Sequence, residues 1–232
     1  MDPQNQEKFA IHEACREGRT QANPRLATRR DDDDRLPLHW AVAYNRVPIV
    51  SVLVQSKGFD VDAQDGSGWT PLMMAASLKE SDELVDLLLS RGADVNMKTT
   101  DTVHHQTALH FTASKNNLDI ARKLIAHKAT ARVKDKRGQL PTHRAAAVGS
   151  VPMLKLLLEA NSPINASDMD GMTALHHAIA EGFGDAALML MKAGAELDKR
   201  DNDGQLAIDH APDAKIKNYI LQTAEIEGIE LP

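Results

Sequence analysis

Thr70-Pro71-Leu72-Met73-Met74-Ala75 is one of six variants of a single phrase. The others are Leu36-Pro37-Leu38-His39-Trp40-Ala41, Thr107-Ala108-Leu109-His110-Phe111-Thr112, Leu140-Pro141-Thr142-His143-Arg144-Ala145, Thr173-Ala174-Leu175-His176-His177-Ala178 and a worn Leu206-Ala207-Ile208-Asp209-His210-Ala211. Their third positions, 38, 72, 109, 142, 175 and 208, are separated by 34, 37, 33, 33 and 33 residues. In this phrase Thr70 can cap the helix and Pro71 sits in its first turn, where a missing N–H costs nothing. A second apolar helical stretch follows, such as Leu84, Val85, Leu87, Leu88 and Leu89. Gly92 then suits the left-handed residue after that helix. One helix pair cannot bury its own apolar face, so such units stack on their neighbours.

A turn and two antiparallel helices at this period, opened by Thr-Pro-Leu-His-x-Ala, resemble the ankyrin repeat. The resemblance implies an all-α ankyrin-repeat solenoid of about seven helix-turn-helix units, with β-turn fingers and a concave binding face. One domain is expected over residues 1–224, with repeats at about 7–30 (truncated), 31–64, 65–98, 99–134, 135–167, 168–200 and 201–224. Residues 225–232 read as an acidic, loose tail. The first repeat keeps Phe9-Ala10-Ile11-His12-Glu13-Ala14, but the stretch from Thr20 to Arg30 lacks a Leu-rich stripe. At the far end Ile216, Tyr219 and Ile220 fall on one face of a last helix, the half-polar pattern of a cap.

Composition narrows the function classes. The net charge is −6, from 27 basic and 33 acidic residues, which argues against a nucleic-acid partner. The lone Cys15 fits a reducing compartment and allows no internal disulfide. The start lacks the basic and apolar regions of a signal peptide, and no apolar run approaches the ~20 residues of a membrane span. Residence in cytoplasm and nucleus is the expectation, with no membrane partner and a monomeric free state.

Candidate chemistry is sparse. Five of the ten histidines (His12, His39, His110, His143, His176) occupy the fourth position of the phrase, where hydrogen bonding from one turn to the next is the preferred reading over metal binding. His104-His105 lacks Cys or carboxylate partners at ligand spacing. Cys15 with His12 has no orienting group, so no catalytic, cofactor or metal residues are assigned and the chain is read as non-enzymatic.

Positions that packing does not require are the candidate contacts. The residues flanking each turn glycine, and those ending each inner helix, hold Asp32, Asp33, Arg35 and Tyr44, then Trp69 and Leu78. Further along they hold Gln106, Lys115, Arg137, Gln139, Met172 and Glu181. Trp40 and Phe111 fill the slot after the tetrapeptide, where a side chain can be half core, and Lys115, Arg137 and Arg144 are read as the cations further along the groove. Trp69 is the expected anchor, since Trp, Tyr and Arg dominate binding hot spots. The bland alternative is an indole lying flat over its own turn. Asp31-Asp32-Asp33-Asp34 beside Arg35 would draw a basic partner.

The whole chain resembles the gankyrin family of proteasome assembly chaperones, including its fungal members. The likeness rests on Leu26-Ala27-Thr28-Arg29, Pro37-Leu38-His39-Trp40-Ala41, Gly68-Trp69-Thr70-Pro71-Leu72, Ala113-Ser114-Lys115-Asn116 and His143-Arg144-Ala145-Ala146-Ala147. It implies a face that grips the C-terminal domain of one ATPase subunit of the proteasome regulatory particle. Arg35 and Lys115 would meet acidic residues there, and Asp33 basic ones. The Leu-x-Cys-x-Glu stretch of animal members is matched only by Glu181, at His177, Ile179 and Glu181, so a pocket-protein activity is not carried over. The alternative is a cell-cycle or transcription regulator binding a kinase or transcription factor, since architecture alone does not name a partner.

Overall fold

A computed structural model describes residues 11–18, 27–56, 58–100 and 104–230. Contacts divide the chain into two units, Met1–Ala108 with Ala126–Ala129, and Leu109–Ile125 with Thr130–Pro232. The first carries α1 (residues 11–17), α2 (Pro37–Ala43), α3 (Val47–Leu53), α4 (Pro71–Ser77) and α5 (Asp82–Ser90). The second carries nearly all of α6 (Ala108–Lys115) and α7 (Leu118–Ala126), then α8 (Pro141–Ala146), α9 (Val151–Glu159), α10 (Ala174–Ala180) and α11 (Gly184–Lys192). It ends with a 3-10 turn (Ala207–His210) and α12 (Ala214–Ile226). Within each unit the even-numbered helices up to α10 are inner and the following odd-numbered ones outer, as the period demands.

The phrase works as read. Thr70 Oγ1 accepts the Met73 N–H at 3.3 Å, and Pro71 needs no partner in the first turn. The histidine of the phrase adds a different bond, to the N–H of the cap residue itself: the N–H of Leu36 donates to His39 Nδ1 at 2.9 Å, and that of Leu140 to His143 Nδ1 at 3.0 Å. An accepting Nδ1 leaves the proton on Nε2. That nitrogen donates to the end of its own repeat, just before the next turn, from His39 to Ala63 O (2.9 Å) and from His143 to Ala166 O (3.1 Å). Each imidazole therefore satisfies two backbone groups that burial would otherwise leave costly. Burial in turn pushes the pKa of His39 down, and that of His143 down to about 4 with help from the neighbouring His177.

The outer helices supply the core. Leu84, Val85 and Leu88 in the first unit, and Met153, Leu154 and Leu157 in the second, are fully buried. Fingers join successive repeats. Asp65 N–H donates to Trp69 O at 3.0 Å, closing a turn in which Gly68 has φ +78. A Cβ at Gly68 would lie 2.1 Å from the Thr100 backbone nitrogen, so glycine is required there twice over.

The C-terminal end departs from expectation. The worn phrase forms a 3-10 turn, in which Asp209 stands in for the histidine and accepts the Leu206 N–H at 3.2 Å. Of the expected apolar face of α12 only Ile220 is fully buried, while Tyr219 is 42% exposed. The Tyr219 ring lies over Gly184 and its hydroxyl donates to Asp185, so it latches the last helix from outside. The helix runs through Ile226, and Ile229 N–H returns to Ala224 O at 2.8 Å. Residues 225–229, expected as loose tail, therefore belong to the cap, because Asp213 starts the helix late and its apolar stripe continues to Ala224. The shortened outer helix of the first repeat and the Leu26 end of its motif lie outside the described residues. Among those described, no helix is long and apolar enough to cross a membrane.

Candidate protein-binding site

The site is built on a rule that five turns obey. Each opens with an aspartate whose Oδ1 accepts two backbone N–H groups, two and four residues on. Asp31 binds Asp33 and Arg35, Asp65 binds Ser67 and Trp69, and Asp135 binds Arg137 and Gln139. Asp168 binds Asp170 and Met172, and Asp201 binds Asp203 and Gln205. The turn thus holds the residues on either side of its left-handed position, Asp34 in the first and glycine in the other four, and these are the slots predicted to make contacts.

In the first unit the turn at Asp31 and helices α1, α2 and α4 frame two adjacent cavities divided by Trp40. One, of about 390 Å³, is lined by His12, Glu13, Arg16, Asp31, Asp32, Asp33 and Trp40. The other, of about 270 Å³, is lined by Arg35, His39, Trp40, Ala43, Asp65, Ser67, Trp69, Met74, Ser77 and Leu78. Trp40 is fixed as the ridge between them. Its Nε1 donates to Asp31 Oδ2 at 2.7 Å, Tyr44 stacks on it at 6.1 Å, and the Arg35 guanidinium lies 5.3 Å over its ring. Burial alone would raise the Asp31 carboxyl. The indole and two backbone N–H groups overcome that and hold it below the ordinary range. One cavity is therefore acidic, the other apolar with a single cation at its edge.

The predicted residues divide accordingly. Asp32, Asp33, Arg35, Trp40, Trp69 and Leu78 line these two cavities, and Tyr44, 46% exposed, stacks on the shared wall. The rest belong to the second unit. Lys115 ends α6 exposed, Glu181 is exposed after α10, and Phe111 and Met172 are half-buried. Arg137 pairs loosely with Asp170 at 3.3 Å, both well exposed, a contact worth little. Arg144 differs most from a free groove cation. Its Nη2 donates to buried Asp135 at 2.8 Å, so its charge is matched inside the repeat.

Gln106 and Gln139, placed on the exposed face by sequence, are buried. Gln139 Nε2 donates to Asp168 Oδ2 at 3.0 Å, beside His177 Nε2 at 2.9 Å from the same oxygen. For Gln139 the reason is local: its side chain faces the next finger, where the amide finds a carboxylate. Sequence reasoning missed Asp65 and Met74. The signal was present in the slot nine residues after each turn aspartate, which holds a donor in four repeats (Trp40, Arg144, His177, His210) and a thioether, Met74, in the fifth.

Nothing here is poised for catalysis on Cys15, which is fully buried with its thiol pushed up to about 11 by desolvation. Among the described residues no cluster of three or more His, Cys, Asp or Glu is placed to hold a metal ion.

Comparison with known proteins gives consistent results. Residues 72–168 and 109–201 match the profile of the family "Ankyrin repeats (3 copies)", and residues 38–78 match "Ankyrin repeats (many copies)". A protein of Saccharomyces cerevisiae named as a probable 26S proteasome regulatory subunit p28 is 39% identical over 159 residues, covering 63% of this chain and 68% of its own. An ankyrin repeat-containing protein of Schizosaccharomyces pombe is 36% identical over 132 residues, 55% of each chain. The crystal structure of the human ASB11 ankyrin repeat domain superposes with a TM-score of 0.80 at 23% identity, covering 91% of this chain and 96% of that one, a likeness of fold.

Proposed function

The chain belongs to the ankyrin-repeat family, and from that premise we propose that it is a non-catalytic, gankyrin-like chaperone of the proteasome regulatory particle. Its partner on this reading is the C-terminal domain of an ATPase subunit, met by a monomer in cytoplasm and nucleus. The observation that carries the reading is the shared cavity of Arg35 and Trp69 beside an acidic one. An indole and a guanidinium at one rigid edge form the kind of anchor on which protein interfaces concentrate their energy. The acidic cavity next to it supplies the opposite charge, so a partner with both signs is selected over a uniform polyion. The 39% identity to the yeast p28 subunit supports the choice of partner class.

The test is a pull-down of the regulatory-particle ATPase subunits by the purified chain and by Arg35→Glu and Lys115→Glu variants. The reading expects one subunit to be captured by wild type and lost from Arg35→Glu, with a smaller loss for Lys115→Glu. Equal capture by all three would remove it. Rim charges act chiefly on association, so capture should also weaken as salt is raised.

A further inference from the structure

The second oxygen of each turn aspartate has its own partner. In four repeats that partner is the residue nine positions later, at the slot after the tetrapeptide. Trp40 donates to Asp31 at 2.7 Å, Arg144 to Asp135 at 2.8 Å, His177 to Asp168 at 2.9 Å and His210 to Asp201 at 2.7 Å. In the fifth, the slot holds Met74, which has no proton to give. The Asp65 side chain is nonetheless 2% exposed, and a carboxylate oxygen so buried needs a donor. It takes one from the preceding repeat: Arg35 Nε lies 3.3 Å from Asp65 Oδ2.

We propose that Asp65 is a positioning residue that holds Arg35 for its partner, and that Met74 is the substitution that leaves Asp65 available to do so. The guanidinium is fixed through Nε by Asp65 and by its face over Trp40, 5.3 Å from the ring centre. Its Nη1 lies 3.7 Å from Asp33, a carboxylate 72% exposed that a partner can displace. The Nη amines are thus presented at the edge of the cavity lined by Trp69, Met74 and Leu78. A carboxylate flanked by an apolar side chain is the chemistry such a fixed fork selects. The break in this nine-residue pairing falls at the cavity where the candidate contact residues gather, which is where departures from a repeat's internal logic are expected.

This rests on reading Arg35 as a partner contact, and the test separates the two. Asp65→Asn keeps an Oδ1 for the turn but sets an N–H₂ against the Arg35 Nε–H. Met74→His places an imidazole where His177 and His210 already reach their turn aspartates, so it should capture Asp65 and release Arg35. Met74→Leu is the control, as it adds no donor. The readout is the Arg35 Nε–H resonance in ¹⁵N–¹H spectra of the full chain, assigned by its absence in Arg35→Lys. Wild type and Met74→Leu should show it shifted and exchanging about tenfold more slowly than a free guanidinium. Asp65→Asn and Met74→His should lose that protection, while the Ser67 and Trp69 amides of Met74→His stay in place. Association with the ATPase C-terminal domain should slow about three- to tenfold in both variants. An Arg35 Nε–H unprotected in wild type, or unmoved in Met74→His, would overturn the proposal. Protection that follows this pattern while Arg35→Glu still captures the ATPase supports the clamp and removes the functional reading beneath it.

Discussion

The imidazoles of His143 and His177 meet edge to face, ring centres 5.6 Å apart, one buried and one half-buried in the second unit. They serve opposite ends of one network. His177 donates to Asp168, which Gln139 also approaches, while His143 must stay neutral to accept from Leu140 and donate to Ala166. Burial would raise the Asp168 carboxyl, but these hydrogen bonds hold it well below the carboxylate range. A proton on His143 would break its cap and face the His177 ring.

Acid should therefore unfold the chain in two stages. His143 titrates at about 4 folded and about 6.5 unfolded, so its contribution is fully present above 6.5 and lost as pH falls toward 4. That single group is worth about 3 kcal/mol, with His39 and His176 shifted the same way by burial. Asp31, Asp135 and Asp168 are shifted down, so their contribution persists above the ordinary carboxylate pKa and is lost below it. Urea midpoints at pH 7, 5.5, 4.5 and 3.5 should fall throughout. His143→Asn should be weaker at pH 7 and flatter between 6.5 and 4; a slope equal to wild type would contradict the role given to His143.

Removing Arg144 tests the pair with Asp135. The carboxylate, 1% exposed, would keep its two backbone donors but lose its counter-charge. Arg144→Ala should cost about 1–3 kcal/mol at neutral pH. Its deficit against wild type should shrink at pH 3.5, where Asp135 starts to be protonated in the variant. A deficit unchanged between the two pH values would mean that lost packing, not charge, is responsible.

Leu88 lies in the middle of α5 with no exposed surface. Leu88→Ala should cost about 2–5 kcal/mol by chemical denaturation, the range for a buried large-to-small change. A loss under about half a kilocalorie would fall below any buried large-to-small change and place Leu88 outside the core.

Gly68 offers a backbone counterpart. Its φ of +78 would strain any L side chain by about 1–2 kcal/mol, and the Thr100 backbone leaves no room for a Cβ. Gly68→Ala should destabilise the first unit more than Gly92→Ala, whose φ is +85 but whose surroundings are open. Equal losses in the two variants would show that the finger can shift aside.

The repeat was legible because its signals are local. Thr70, Pro71 and Gly92 act on their own turns, and the apolar stripe needs only a period. Arg35 and Trp69 were legible as surface candidates by their slots beside the turn, and the structure places both on the wall of one cavity. Gln139 and Arg144 were not read correctly, since both are absorbed by carboxylates, Asp168 in the next finger and Asp135 nine residues back. Asp65 escaped notice because its role depends on what Met74 cannot do. The end of α12 was misplaced because charged Glu225 and Glu227 mask a helix decided by Asp213 and Ala224.

The central claim, that the Arg35–Trp69 cavity grips a proteasomal ATPase, is tested most directly by the dissociation rate of its C-terminal domain from Trp69→Ala. A buried hot-spot indole carries about 2 kcal/mol or more, so the complex should fall apart at least about thirtyfold faster than with wild type. A dissociation rate matching wild type would contradict the claim and leave the cavity without a partner.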